Sequence, residues 1–186
     1  MGRVRVIAGE YKGRRLQVPS WDGLRPTSDK LRETLFNVLA PSIGGARVLD
    51  GYAGTGAVGI EALSRGAAHV TFVESDRRAQ LLIGENLSAC RIESGYTMVR
   101  STATHAWSTL LADPAFAPFD LILLDPPYDH PAGETLAGVD RLLAPVGWVV
   151  LEHARRTMPP DHAGRLVRAR DLRSGDSALA IYTCPH

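Results

Sequence analysis

At 186 residues, 45% hydrophobic and 22% charged, the chain has an ordinary globular composition and enough length for one well-buried domain with an appendage. No stretch approaches the roughly 18 consecutive apolar residues of a membrane-crossing helix, and the opening MGRVRVIAGEYKGRRLQ lacks the apolar core of a signal peptide. A soluble, cytoplasmic protein without a membrane partner is therefore expected, and its net charge of +1 conceals an asymmetry: residues 1–32 carry +5, the remainder −4.

In chain order, RVRVIA and RRLQVP read as two short strands joined by GEYKG, a basic hairpin arm. A cationic end on a mildly acidic body attracts a polyanion such as RNA, which makes Arg3, Arg5, Lys12, Arg14, Arg15 and Arg25 candidate RNA contacts. The same charges on an ordinary solvated surface are the blander explanation. WDGLRPTSD is a linker rich in breakers, and Thr27 or Ser28 caps a helix predicted to run roughly to Leu39, with Leu31, Leu35 and Val38 at helical spacing. The arm and this helix, residues 1–40, are expected to stand apart from a main domain of residues 41–186.

From Ala46 onward ARVLD, HVTFVE, YTMVRS, FDLILLD and WVVLEH are apolar, β-branched runs separated by helical patterns such as AVGIEALSRG and DRRAQLLIGENLSAC. That alternation predicts an α/β fold with a parallel sheet covered by helices on both faces. LVRARDLR and ALAIYTC flank the turn SGDS and predict a closing antiparallel hairpin. Seven mostly parallel strands, doubly wound, with a small amino-terminal hairpin and helix, are expected.

Two motifs carry chemistry. In VLDGYAGTGAVGIEAL a strand ends at Asp50, and Gly54, Gly56 and Gly59 allow a tight turn, close backbone approach to a ligand, and close helix packing. Glu74 ends the next strand, where a carboxylate accepts hydrogen bonds from both ribose hydroxyls of an adenosine. Gly54-x-Gly56-x-x-Gly59 is also the dinucleotide fingerprint, so a nicotinamide cofactor is weighed beside S-adenosylmethionine. Asp50 favours the latter, because a carboxylate beside the loop complements an ammonium and a sulfonium and repels a pyrophosphate. A turn that merely packs a helix is the structural alternative.

The second motif, DPPY at residues 125–128, follows a buried strand. In a doubly wound sheet Asp125 then faces the ligand crevice beyond the strand ends. Pro126 and Pro127 stiffen the loop and leave carbonyls as acceptors, so an exocyclic amine can donate both N–H groups to Asp125 and a proline carbonyl while Tyr128 stacks on the base. His130 and Glu152 fall near the same rim, and Glu152 is weighed as a substrate contact against a structural pairing. Cys90 and Cys184 have no CxxC or histidine pairing, and the six histidines show no ligand spacing, so neither a disulfide framework nor a metal site is expected.

VLDGYAGTGAVGIEALSRGA, FVESD and LLDPPYD resemble class I S-adenosylmethionine-dependent amino-methyltransferases, with their Rossmann-like fold. LRPTSDKLRETLFNVL and SGDSALAIY narrow the resemblance to the RsmD family of bacterial 16S rRNA guanine-N2 methyltransferases. The resemblance implies S-adenosylmethionine as cofactor and, as substrate, one guanine of the 16S rRNA helix 31 loop within an assembled small-subunit particle, methylated by a monomer without a metal. It implies that Asp50, Gly54 and Gly56 hold the methionine part, that Glu74 holds the ribose, that Thr102 and Ala103 border the adenine, and that Tyr52, Thr55, Ser75 and Thr27 also bind the cofactor. Asp125, Pro126, Pro127 and Tyr128 receive the guanine, and Arg25, Pro26, Thr27 and Arg32 cap the cofactor and meet RNA phosphates. Thr102 departs from the Asp or Asn of many relatives and is a weaker acceptor. Methylation of another RNA base or of DNA adenine, and a non-catalytic assembly factor, are the competing readings.

Overall fold

The computed structural model describes residues 4–22 and 27–185. Arg3, Arg25 and Pro26 lie outside them. Strands β1 (Val4–Arg5) and β2 (Arg15–Leu16) pair antiparallel and form the expected arm. Val6 still exchanges backbone bonds with Arg14 and Gly13, but the pairing stops there, where the Ile7 and Ala8 amides donate to the Glu61 carboxylate instead.

Helix α1 spans Asp29–Ile43, and the Ser28 hydroxyl caps it by accepting from the Leu31 amide at 3.2 Å. It continues beyond Leu39 and through Pro41, because Leu39 and Ile43 are both buried and hold its last turns in the core. Five strands then alternate with helices: β3 (Arg47–Asp50), α2 (Ala57–Ser64), β4 (His69–Glu74), α3 (Arg77–Ala89), β5 (Tyr96–Arg100), α4 (Ala103–Ala112), β6 (Phe119–Leu124), α5 (Ala132–Leu136) and β7 (Leu143–Ala154). Strands β8 (His162–Ala163), β9 (Leu166–Ser174) and β10 (Ser177–Thr183) complete the chain.

The main sheet has eight strands in the order β5-β4-β3-β6-β7-β10-β9-β8. The seven expected strands are parallel from β5 to β7 and antiparallel across β10 and β9; the eighth is the two-residue β8, too short to leave a sequence pattern. Order reverses at β3, whose neighbours are β4 and β6, so the ligand crevice opens beyond the carboxyl ends of these strands.

Side chains alternate across the sheet and fill two layers. Val48, Phe72, Leu121, Leu123 and Val150 pack under α1 and α2 on one face; Leu49, Val73, Ile122, Leu124 and Leu151 pack against Trp107 of α4 and Leu136 of α5 on the other. Gly59 allows α2 to touch the sheet: a Cβ there would lie 2.2 Å from the Phe72 ring.

The arm joins the first layer through Val4, Val6 and Leu16. Its backbone is held by polar side chains of the main sheet's helices. Buried Glu61 takes Ile7 and Ala8, the Ser64 hydroxyl donates to Ala8 O and accepts from Tyr11 N, and the Asn86 amide pairs with both backbone groups of Gln17. Gly9, at φ +86°, passes so close to the Ser64 carbonyl that no side chain fits.

Candidate active site

A cavity of about 1000 Å³ opens at the carboxyl ends of β3, β4, β6 and β7, beside the start of β10. It gathers Thr27, Asp50, Tyr52, Gly54, Thr55, Glu74, Ser75, Thr102, Ala103 and the whole Asp125–Tyr128 stretch. Gly56 does not line it. With φ at +76° and the Ile83 side chain behind it, Gly56 instead turns the chain into α2.

The first motif is built around two carboxylates. Asp50, 3% exposed, accepts from the Gly59 amide at 3.0 Å, and burial pushes its carboxyl up to about 7, with the charges of Asp125 and Glu74 adding to the effect. Glu74 Oε2 accepts from the Gly54 amide and Oε1 from the Asp76 amide, both at 2.8 Å. These bonds fix the loop and leave lone pairs on each oxygen for a diol. Thr102 stands at the N-cap of α4 without a capping bond from its side chain, so its hydroxyl is not committed to the helix.

In the second motif Thr27 donates to Asp125 Oδ2 at 3.1 Å, which places Thr27 beside the DPPY stretch. The Pro127 carbonyl accepts from the His130 amide at 2.9 Å and closes a turn, while Pro126 has no such turn bond among the described residues. Pro126 is therefore the proline carbonyl best left to face an amine. Tyr128 is 62% exposed, with its hydroxyl 3.2 Å from Ser177 Oγ.

Two further residues complete this end. Glu152, expected to end its strand, lies within β7 beside Asp125, because pairing with β10 carries β7 on to Ala154, and Ser177 begins β10. Burial first, and then the Asp125 charge, raises the Glu152 carboxyl; burial raises Asp125 too, so the pair favours holding one proton between them. The sequence marks Glu152 as a strand end. Ser177 was visible only inside SGDSALAIY, and its place at the cavity follows from the antiparallel register of β10 on β7, which pairs Ser177 with Ala154.

The arginines divide. Arg5, Lys12 and Arg15 are exposed, as a polyanion contact requires. Arg14 is half-buried, bonded to the Cys90 carbonyl, with its guanidinium 5.1 Å from the Tyr11 ring centre, so much of its donor capacity serves the fold. Arg32 corrects the expectation of a phosphate contact: it is fully buried, donating to the Arg5 carbonyl at 2.9 Å and to Asp29 at 2.6 Å. Arg155 and Arg156, which drew no attention in the sequence, are exposed directly after β7, where the Arg155 amide bonds Asp176 beside Ser177.

The lining distinguishes the two cofactors weighed from sequence. Asp22, Asp50, Glu74, Asp125 and Glu152 border the cavity, and no lysine or arginine does so among the described residues. Such a surface suits a cationic amino acid joined to a nucleoside and opposes a pyrophosphate.

Known proteins share this sequence and fold. The family model described as Conserved hypothetical protein 95 matches residues 4–183. The chain is 37% identical over 182 residues to YlbH of Bacillus subtilis, covering 96% of this chain and 98% of that one. It is 40% identical over 151 residues to ribosomal RNA small subunit methyltransferase D of Escherichia coli, covering 81% of this chain and 72% of the relative. The chain belongs to the ribosomal RNA small subunit methyltransferase D family. The solved structure of yhhF from Escherichia coli superposes with a TM-score of 0.78 at 36% identity, covering 97% of each chain. The fold is that of the class I methyltransferases, and the cofactor of this family member is S-adenosylmethionine.

Proposed function

We propose that this protein transfers a methyl group from S-adenosylmethionine to the exocyclic N2 amine of one guanine in 16S rRNA, in the helix 31 loop, within the small ribosomal subunit. It would act as a monomer in the cytoplasm. The observation that carries this reading is the placement of Asp125 and Pro126 in one cavity with Asp50, Gly54 and Glu74. A pair of acceptors for an amine thus stands beside a loop suited to a nucleoside, and the relatives named for small-subunit rRNA methylation supply the substrate class.

When bound, S-adenosylmethionine supplies an electrophilic methyl group on a sulfonium. The chain's own residues then have four tasks. Asp50 balances the positive charge, and Glu74 holds the loop and offers acceptors to the ribose. Asp125 and Pro126 accept the two N–H groups of the amine, drawing nitrogen density away from the ring and aiming it; orientation of this kind contributes up to about 7–11 kcal/mol in intramolecular models. Tyr128 offers an exposed face to a base turned out of its stack, worth about 1–3 kcal/mol. The methylated nitrogen is acidic, so its proton can leave without a strong base.

The test is transfer of labelled methyl to small-subunit particles from a strain lacking the native enzyme, beside naked 16S rRNA and DNA, with nucleoside analysis. N2-methylguanosine on the particle is expected. Label on adenine or DNA would overturn the substrate, and no label despite cofactor binding would favour the assembly-factor reading.

A further inference from the structure

The DPPY stretch accounts for holding an amine but not for choosing a base, because adenine, cytosine and guanine all carry one. What separates them is the ring nitrogen beside the amine: N1 of guanine is an N–H donor, whereas N1 of adenine and N3 of cytosine are lone-pair acceptors. A residue that discriminates must therefore lie next to the amine cradle and present a fixed hydrogen-bonding sign.

Glu152 occupies that place. The parallel register pairs Leu124 of β6 with Leu151 of β7, so the residues that follow lie side by side, Asp125 just past the end of β6 and Glu152 still within β7, where it pairs with Leu179 of β10. Alternation puts them on the face shared by Leu123, Val150 and Leu179, beneath α1, and all five line the same cavity. No lysine or arginine among the described lining residues is available to neutralise Glu152. Its polar neighbours there are Asp125, with which it favours sharing a proton, and Ser177.

Resting on the guanine reading above, we propose that Glu152 selects the base: its carboxylate accepts the N1–H of guanine while Asp125 and Pro126 hold the N2 amine. Guanine brings the N–H donors that replace the proton shared by the two carboxylates. Adenine or cytosine directs a lone pair at Glu152, which only its protonated form can meet, so the preference for guanine should widen as pH rises and the carboxylate becomes an acceptor alone. Glu152 is thus a specificity residue that contacts the substrate, distinct from the residues that hold the cofactor.

The decisive substrate is 2-aminopurine, which keeps the N2 amine but has an acceptor at N1. Small-subunit particles are reconstituted with guanine or 2-aminopurine at the target position and offered to the unaltered protein and to Glu152→Gln. 2-Aminopurine fluorescence reports entry of the base into the pocket independently of methyl transfer, and S-adenosylhomocysteine binding by calorimetry reports the cofactor site. The unaltered protein should prefer guanine by about 10- to 100-fold, the scale of one base-edge contact. Glu152→Gln can face either sign at N1, so it should lose most of that preference with S-adenosylhomocysteine affinity unchanged. An unchanged preference in Glu152→Gln, or no preference in the unaltered protein, would overturn the assignment. Should Glu152→Gln lose S-adenosylhomocysteine binding, Glu152→Asp takes its place: it keeps the charge and must keep the preference at a lower rate, and loss of preference there would overturn the assignment. Failure of the unaltered protein to methylate the guanine particle at all would instead overturn the underlying function.

Discussion

Asp50 is the residue on which cofactor affinity should turn. Burial, helped by the charges of Asp125 and Glu74, pushes its carboxyl up to about 7, against the Gly59 amide, whose hydrogen bond favours the ionised form. A ligand ammonium favours the ionised form, so binding and ionisation are linked. The affinity for S-adenosylhomocysteine should rise by about tenfold per pH unit from pH 5 toward pH 7 and level off above it. Asp50→Asn should bind more weakly with a flat profile. Calorimetry across that range checks both, and a flat profile in the unaltered protein would mean that Asp50 is ionised throughout.

At the level of elements, the arm depends on α2 and α3 as much as on its own two-residue strands. Glu61 is fully buried, accepts two arm amides and also takes Arg65 at 2.7 Å. Glu61→Gln keeps the shape but removes the charge behind these bonds, and charge-assisted bonds contribute about 1.5–3 kcal/mol each. A destabilisation of about 1–3 kcal/mol is expected, together with faster proteolysis within residues 4–16, measured by denaturation and limited digestion. Loss of stability with unchanged arm protection would place the effect elsewhere. The arm also marks where sequence reasoning ends. The glycine loop and DPPY were legible because turn geometry and strand ends restrict residue type locally. Arg32 was misread because charge in a sequence carries no sign of burial; only the packing of α1 against α2 and β1 shows its guanidinium among backbone carbonyls. Ser177 was hidden because strand register, a long-range property, brings it to the cavity.

Across the whole molecule, the acidic cavity and the basic arm set opposite dependences. Asp50, Asp125 and Glu152 all have carboxyls raised in the folded state. Their contribution to stability is therefore fully present below about pH 4, where the unfolded chain also holds these protons, and is lost as pH rises through the folded values. The ligand-free protein should show a falling melting temperature between pH 5 and pH 8 in calorimetry, with the fall reduced by bound S-adenosylmethionine. A rising melting temperature would require other groups to dominate. Charge reversal at Arg5, Lys12 and Arg15 together should weaken particle binding and lower the slope of log affinity against log salt by about one for each phosphate no longer neutralised, leaving S-adenosylhomocysteine affinity intact. Unchanged slopes would move the RNA-binding face to another surface, with Arg155 and Arg156 next to the pocket as the first to examine.

Asn86 links these two regions. Its Nδ2 donates both to Gln17 O in the arm and to Thr55 O in the cofactor loop, at 3.1 and 2.9 Å. A single amide group thus bridges arm and cofactor loop. A methyl transfer that loses about 100-fold for an ångström of misplacement is sensitive to such a link. A ribosomal particle gripped by the arm would meet the methyl donor at a distance already set when the chain folds.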